Sequence, residues 1–456
     1  MKVMIRLKTI VVVLFATISC QITAQESPTA MFNPHTSAAA SHVFPGKIGD
    51  GFKVVEVTLP TIHLSVGNDA MSFNELKSLL TDPVISESYI SNTINSLNDA
   101  NHVFLNTSIQ LLGVGFNLRN EKKGRIASFS FSVVDKAVSG ITFPKKIFEI
   151  LYEGNSQYAG ETVDFAPMAA DVLYYRDIAL GASMPLSIQG PLSKMELTPG
   201  IRLRYLQGIA SMNLAKADFS MFTEADGKYI HFDFDYELNT SMPNGVNEIL
   251  GGTGKGVGMD LGLNLKVNEM ITADIAINDV GFINFDKDPV NQKRQGDYRY
   301  EGIELNLWEA DVSQWSTIDT IKENIKANKT YDPYKVNLQP KLSFLGSFTL
   351  SPMMSKKQMK FFQHSIYFSY TQGFSNKLDR STMPLIGLGY VYSLANIFNI
   401  GPSVTLGGHK DFAMGIHTSV KGGPFKFAIG SGDISPLLMK NNGKGADIYT
   451  SFALSF

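Results

Sequence analysis

The sequence predicts an all-β protein: a transmembrane antiparallel β-barrel of about 14 strands, within roughly 12 to 16, carrying a partly helical N-terminal plug. Three observations predict it. Apolar and polar residues alternate in runs of nine residues or more, as in Tyr229 to Leu238 and Val257 to Leu265. These runs recur from about Val103 to the C-terminus, more strand than one soluble sandwich uses. The chain also stops in mid-strand, with Ile448, Thr450, Phe452, Leu454 and the terminal Phe456 on one face. A tilted strand needs about 9–11 residues to cross a bilayer, whereas sandwich strands centre on about five or six.

Composition supports the same class. A chain of 456 residues would ordinarily hold two or three soluble domains, but only 18% of it is charged while 44% is hydrophobic. Glycine (39), Phe (30) and Tyr (17) occupy the space that charge leaves. That mixture suits a surface apolar on one side and polar but mostly uncharged on the other. The net charge of −2 excludes a phosphate-neutralising nucleic-acid binder. No stretch after the N-terminal 25 residues reaches the roughly 18–20 continuous apolar residues of a membrane helix.

The N-terminus reads as an export signal over residues 1–24. Lys2, Arg6 and Lys8 form a basic region, Ile10 to Ala16 a short apolar one, and Ile22-Thr23-Ala24 a cleavage site before Gln25. The single cysteine, Cys20, lies inside it. Lipidation of Cys20 is the competing reading, opposed by Thr17, where a lipobox carries Leu or Val. A chain cleaved after Ala24 has no cysteine, so neither a disulfide nor a thiolate metal site is expected. The mature protein is then periplasmic, secreted or, on the strand pattern, a barrel of the cell outer membrane.

Residues 25–102 follow as an N-terminal extension or plug, and residues 103–456 as the barrel. Within the extension, Phe52 to Leu59 reads as a short strand and Ser72-Phe73-Asn74-Glu75 as a capping box opening a helix. Ser72, Phe73 and Glu75 are therefore expected in the plug, and Pro83 at the start of a second helix running towards Leu97. Strands are expected near 104–118, 126–137, 170–185, 198–212, 214–224, 228–241, 257–267 and 270–281. Others follow near 297–309, 338–351, 359–374, 384–394, 400–421 as a hairpin, 424–433 and 445–456. One or two of these exceed an even barrel count. Short helices are expected over Lys145 to Tyr152, ended by Gly154, and over 316–328.

Several segments resemble one family. Val66 to Leu76 is similar to an N-terminal motif of a Bacteroidota outer-membrane barrel family catalogued as a domain of unknown function. Tyr175 to Gly181 and Gly200 to Ala210 are similar to its strand motifs, and Gly423 to Ala428 with Asp433 to its penultimate strand. The resemblance runs in order over most of the mature chain. It implies an architecture like that of FadL-like barrels, which include passive transporters of hydrophobic compounds and a shuttle component of type 9 secretion. It implies no activity of its own.

The candidate functional residues are polar groups on the face opposite the apolar one, which a barrel turns to its lumen. Asp233, Asp235 and Glu237 form one ladder, Arg202 and Arg204 another, and Asp260 and Asp274 share that face. Opposed ladders of this kind can select solutes, or can simply pair with each other and with a plug. Phe452, Leu454 and Phe456 are the expected signal to the barrel-assembly machinery. His417 and Ser419 share the inward face, as in a lipid-acting barrel enzyme, but no third group orients them in sequence. His364 and Ser365 point to opposite faces. Gly251 to Gly256 lacks the spacing and hydroxyl of a phosphate loop and reads as a flexible connection. The eight histidines show no paired spacing on one element, so no metal and no cofactor is expected. The expected function is passive binding or translocation of a hydrophobic small molecule, in contact with outer-membrane lipid. The alternatives are an interaction or shuttle protein for secreted partners and, less favoured, a lipid-acting enzyme.

Overall fold

The computed structural model describes residues 29–35, 37–81, 86–122, 124–189, 194–300, 327–350, 361–439 and 443–456. The export signal with Cys20, and the helix expected from Ser316, lie outside them. Fourteen strands form a closed antiparallel wall. We number them β1 (55–68, in two pieces, Val55–Thr58 and Thr61–Asn68), β2 (Ala100–Asn120), β3 (Gly124–Pro144), β4 (Ala169–Ser183) and β5 (Lys194–Thr223). Then come β6 (Gly254–Lys266), β7 (Ile271–Phe285), β8 (Lys341–Thr349), β9 (Phe362–Gly373) and β10 (Leu385–Leu394). β11 (Phe398–Gly407), β12 (Phe412–Gly422), β13 (Phe425–Asp433) and β14 (Gly445–Ser455) complete the wall.

Each strand pairs with its neighbour in sequence, and β1 pairs with both β2 and β14, which shuts the ring. No backbone edge of the wall is then left to meet hydrocarbon unpaired, the condition a spanning sheet must satisfy. Among the described residues no helix is long and apolar enough to cross a membrane.

The alternation places side chains as the pattern demands. In β6, Val257, Leu261 and Leu263 face outward and are exposed, while Gly258, Asp260, Gly262 and Asn264 are buried inside. Leu180, Leu203, Leu388, Ile416 and Ile448 continue the outer apolar belt around the ring. Phe456 is 60% exposed on the outer rim, with Phe452 and Leu454 above it on the same face. Phe361, Phe362 and Tyr392 cluster nearby as part of an aromatic girdle of the kind found where a barrel meets the membrane interface.

The two rims differ. At the rim holding the C-terminus the connections include the tight turns 395–397 and 423–424. At the other rim, long segments 69–99, 145–168 and 286–340 carry helices and extra strands. Bacterial barrels have short periplasmic turns and longer extracellular loops, so this asymmetry orients the wall.

Several sequence expectations change here. Residues 55–68 belong to the wall, so the barrel begins at 55 rather than 103. The segments near 198–212 and 214–224 are one strand, β5. Strand Ile230–Ser241 forms, and the strand expected near 297–309 lies instead at Pro289–Tyr300, with 301–309 outside the described residues; both stand above the rim, the first paired to the upper half of β5 and the two to each other. Gly251 ends a short helix (Val246–Gly251) and Gly254 opens β6, so the glycine-rich run is not an open loop. The ladder Asp233, Asp235, Glu237 is correspondingly outside the lumen. It rides on the projecting sheet, where Asp235 pairs with Lys216 and Glu237 with Lys293 in solvent.

The capping box forms as expected. The Ser72 amide donates to Glu75 Oε2 at 2.6 Å and the Glu75 amide to Ser72 Oγ at 3.3 Å, opening helix Phe73–Thr81. Its position differs: Ser72, Phe73 and Glu75 cap the long-loop rim, with the Phe73 amide bonded to Gly443 O, and are not in a plug. The second helix, Glu87–Ser96, is capped by Ser86, and Pro83, expected at its start, lies outside the described residues.

Candidate functional site

The lumen is filled from below by residues 29–52. Short helices Thr29–Phe32 and Ser37–Val43 and the turn Pro45–Lys47 enter it before the chain joins β1. Glycines on the inner face make the room. A Cβ on Gly200 would come within 2.2 Å of Pro45 O, and one on Gly389 within 2.4 Å of the Phe32 ring. Phe32, Val43 and Phe44 pack with Ala276, Leu345 and Val391 of the wall. Polar contacts fix the rest: Lys47 pairs with Asp274 at 3.0 Å and Lys426 with Glu56 at 2.5 Å, while Lys426 also donates to Gly51 O. Asn278 and Arg202 donate to the main-chain oxygens of Val43 and His42.

Above the plug lies a buried charge network. Arg204 donates to Asp177 at 2.9 Å, to Asp260 at 3.1 Å and to Asp279 at 2.6 Å. Arg202 pairs with Asp260 at 3.0 Å. Asp279 joins because of a β-bulge. Pairing of β6 with β7 slips between Met259 and Leu261, and Asp279 adopts φ 60°, a left-handed conformation that Asp tolerates better than most residues. Asp279 thereby turns inward and Val280 outward to lipid.

The network continues into a lid. The loop 374–384 joins β9 to β10 and crosses the lumen to β2 and β3, seven strands round the ring. Arg380 pairs with Asp279 at 2.7 Å and with Asp379 at 2.5 Å, and Asn106 of β2 donates to Asp379. Leu378 enters an apolar cluster with Val138, Leu173, Leu206, Ile283 and Phe285 of the inner wall. The lumen is thus stacked in three layers: plug, charge network, and a packed apolar cluster that includes Leu378. Two lumen-facing cavities beside the plug measure only about 70 and 30 Å³, far below the roughly 300 Å³ of a small-ligand pocket.

Of the residues expected in the lumen, the structure brings together Arg202, Arg204 and Asp260, and places Asp274 on β7 against Lys47 of the plug. Sequence reading missed Asp177, Asp279, Asp379, Arg380 and Lys47. The step from Ile277 to Val280, three residues where two are the rule, was the signal for the bulge. Nothing local marked Arg380, whose partners lie on other strands.

Ser419 does not pair with His417. Its hydroxyl bonds His35 Nδ1 and Asn399 Nδ2, each at 3.1 Å, all buried between plug and wall. Neither ring nitrogen of His417 has a hydrogen-bond partner among the described residues. The pair is enclosed away from lipid, so it lacks both the access and the orientation a hydrolytic site needs.

His35 makes the plug pH-sensitive. Burial, aided by Lys426 and Lys421, pushes its pKa down to about 4 from about 6.5. The docked plug holds His35 neutral, whereas a released plug lets it protonate. Docking is therefore at full strength above pH 6.5 and weakens as pH falls towards 4, by up to about 3 kcal/mol. Leakage of a small solute from liposomes carrying the barrel is expected to rise over that interval. A His35→Gln barrel should show a flatter profile; an identical rise would remove His35 as the sensor.

The sequence profile of a family of unknown function, DUF5723, matches residues 45–432, and the chain belongs to that family. No curated protein sequence matches it. Among solved structures it is similar to the toluene transporter TbuX of Ralstonia pickettii, at 10% identity over 96% of this chain and 95% of that one, with a TM-score of 0.41. The P. putida toluene transporter TodX matches at 8% identity over 96% and 95%, TM-score 0.39. A Pseudomonas aeruginosa FadL homologue matches at 7% identity over 95% and 94%, TM-score 0.36.

Proposed function

We propose that this DUF5723 barrel sits in the outer membrane and binds or passes a small, mostly hydrophobic molecule through a lumen gated at both ends. One observation carries the reading: the lid loop crosses the barrel, packs Leu378 into an apolar cluster of the inner wall, and is latched there by Arg380. A hydrophobic ligand competes for the surface that Leu378 covers, while the ion pairs set how often the loop lifts. The role is non-enzymatic, since Ser419 is committed to His35 and Asn399 inside the closed barrel. The outward Phe452, Leu454 and Phe456 suit the last strand for recognition by the barrel-assembly machinery.

Arg380→Ala leaves Asp279 and Asp379 buried without that guanidinium, at a cost of about 3–5 kcal/mol when a buried pair is broken. The lid's closed–open balance should shift by at least about tenfold. Uptake of a small apolar dye into liposomes carrying the variant is expected to be several-fold faster than with wild type. Equal uptake by the two would sink the gate.

A second reading has its own observation. The sheet projecting above the rim forms an open cleft of about 550 Å³ lined by Asp164, Asp218, Asp233, Asp235 and Asp297. An exposed acidic cleft on the extracellular side suits a basic segment of a secreted protein partner, and pull-down with that sheet trimmed separates the two readings.

A further inference from the structure

At the long-loop rim, three residues distant in sequence converge. Asp69 follows β1, His102 opens β2, and His409 sits in the turn 408–411 between β11 and β12, which bends inward to reach them. One donor atom from each lies within 4.8 Å of the others. We propose that Asp69, His102 and His409 form a binding site for a divalent transition metal of the zinc class, which clips the 408–411 turn to the β1–β2 rim.

The hydrogen bonds prepare each donor. His409 Nε2 lies 2.9 Å from Arg380 O, and a carbonyl oxygen can only accept, so Nε2 carries the proton and Nδ1 is left with its lone pair. A backbone carbonyl holding the far nitrogen is the usual outer-shell partner of a metal-binding imidazole, because it fixes both tautomer and ring direction. The Asp69 carboxylate is held through Oδ1 by the His102 amide at 2.6 Å, while Oδ2 lies 2.7 Å from His102 Nδ1. The proton shared across that second contact is the one a divalent ion would displace. Two imidazoles and one carboxylate match zinc and its neighbours. The set has no thiolate for copper(I) and too few oxygens for calcium or magnesium.

The surroundings agree. His409 is buried, its ring tilted at 41° against Phe104 with centroids 4.5 Å apart, while the side chains of His102 and Asp69 are 22% and 18% exposed, giving an ion a way in. Lys444 approaches the Asp69 main-chain oxygen at 3.1 Å, and its charge is answered by Asp411 at 3.2 Å. Tetrahedral donors about 2.1 Å from zinc stand roughly 3.4 Å apart, so the widest pair closes by a little over an ångström, within reach of a side-chain rotation. Three protein donors leave the fourth position to water. Through the Arg380 carbonyl the ion would also steady the lid.

The test is calorimetric titration of the chelator-stripped, detergent-purified full chain with zinc chloride, paired with the visible absorption of added cobalt(II). One saturable ion per chain with a tetrahedral cobalt spectrum is expected. Affinity should fall about 100-fold or more in His409→Ala and in His102→Ala, beyond the 10–100-fold typical of outer-shell losses. Asp69→Asn, which keeps a hydrogen-bonding side chain, should weaken binding as well. Each variant is checked by its heat-dependent gel mobility as a folded barrel, and the wild-type cobalt spectrum needs no variant at all. Absence of saturable binding, or unchanged affinity in the folded His102→Ala/His409→Ala double variant, overturns the site.

Discussion

Deletion of residues 29–50 is expected to turn a nearly closed barrel into a leaky one, raising the conductance of reconstituted protein by orders of magnitude. The argument is one of volume. Eight strands enclose just enough space for their own side chains, whereas 16 to 18 leave a water-filled channel. Fourteen strands fall near the wider case, and the space is occupied because Phe32, Val43, Phe44, Pro45 and Ile48 fill it. The deletion ends before Phe52, so β1 keeps its pairing with β2 and β14 and the wall survives. The lid remains latched in this variant, so combining it with Arg380→Ala should raise conductance further. Planar-bilayer recordings check both steps. Conductance no higher than wild type in the double variant would mean the lumen is sealed by something other than plug and lid.

Arg204→Ala should be the most destabilising single substitution in the wall. Its guanidinium meets Asp177, Asp260 and Asp279, and all four groups are almost entirely screened from solvent. Together with Arg202, Arg380 and Asp379 the network sets three guanidiniums against four carboxylates, with Lys136 and Lys341 also facing Asp279. Removing the central cation leaves Asp177 with only Arg202 at 3.9 Å and takes one of two guanidiniums from Asp260 and from Asp279, and breaking one buried pair already costs about 3–5 kcal/mol. The urea midpoint of the refoldable barrel in detergent should fall accordingly. Arg204→Lys should recover part of the loss but not all, because an ammonium lacks the flat fork that spans several carboxylates. An unchanged midpoint for Arg204→Ala would show that water or lipid headgroups already solvate the network.

The plug contacts explain why some of this was legible and some was not. Asp260 and Asp274 could be placed inside because each interrupts an apolar alternation, and a strand in a wall has only two faces. The same logic misplaced Asp233, Asp235 and Glu237. A sheet standing in water with one packed face alternates as a membrane wall does, so the pattern reports two unlike environments without naming them. Residues 55–68 escaped notice as wall because Leu59 and Pro60 break the rhythm in mid-strand. The helices at 73–96 were recognised from capping chemistry, yet that chemistry is local and carries no address.

What the chain order alone establishes is therefore the kind of wall: alternating strands in roughly the right number, an apolar outside, and a terminal strand ending in aromatics. Each of these is a short-range property, set by residues two apart on one backbone. The contents of the lumen were decided only by the folded ring. Arg380 meets Asp279, Lys47 meets Asp274, and His409 meets Asp69 across tens to hundreds of intervening residues. Such pairs form because ring closure carries opposite strands to within a side chain's length of a shared interior, a distance that no local periodicity encodes.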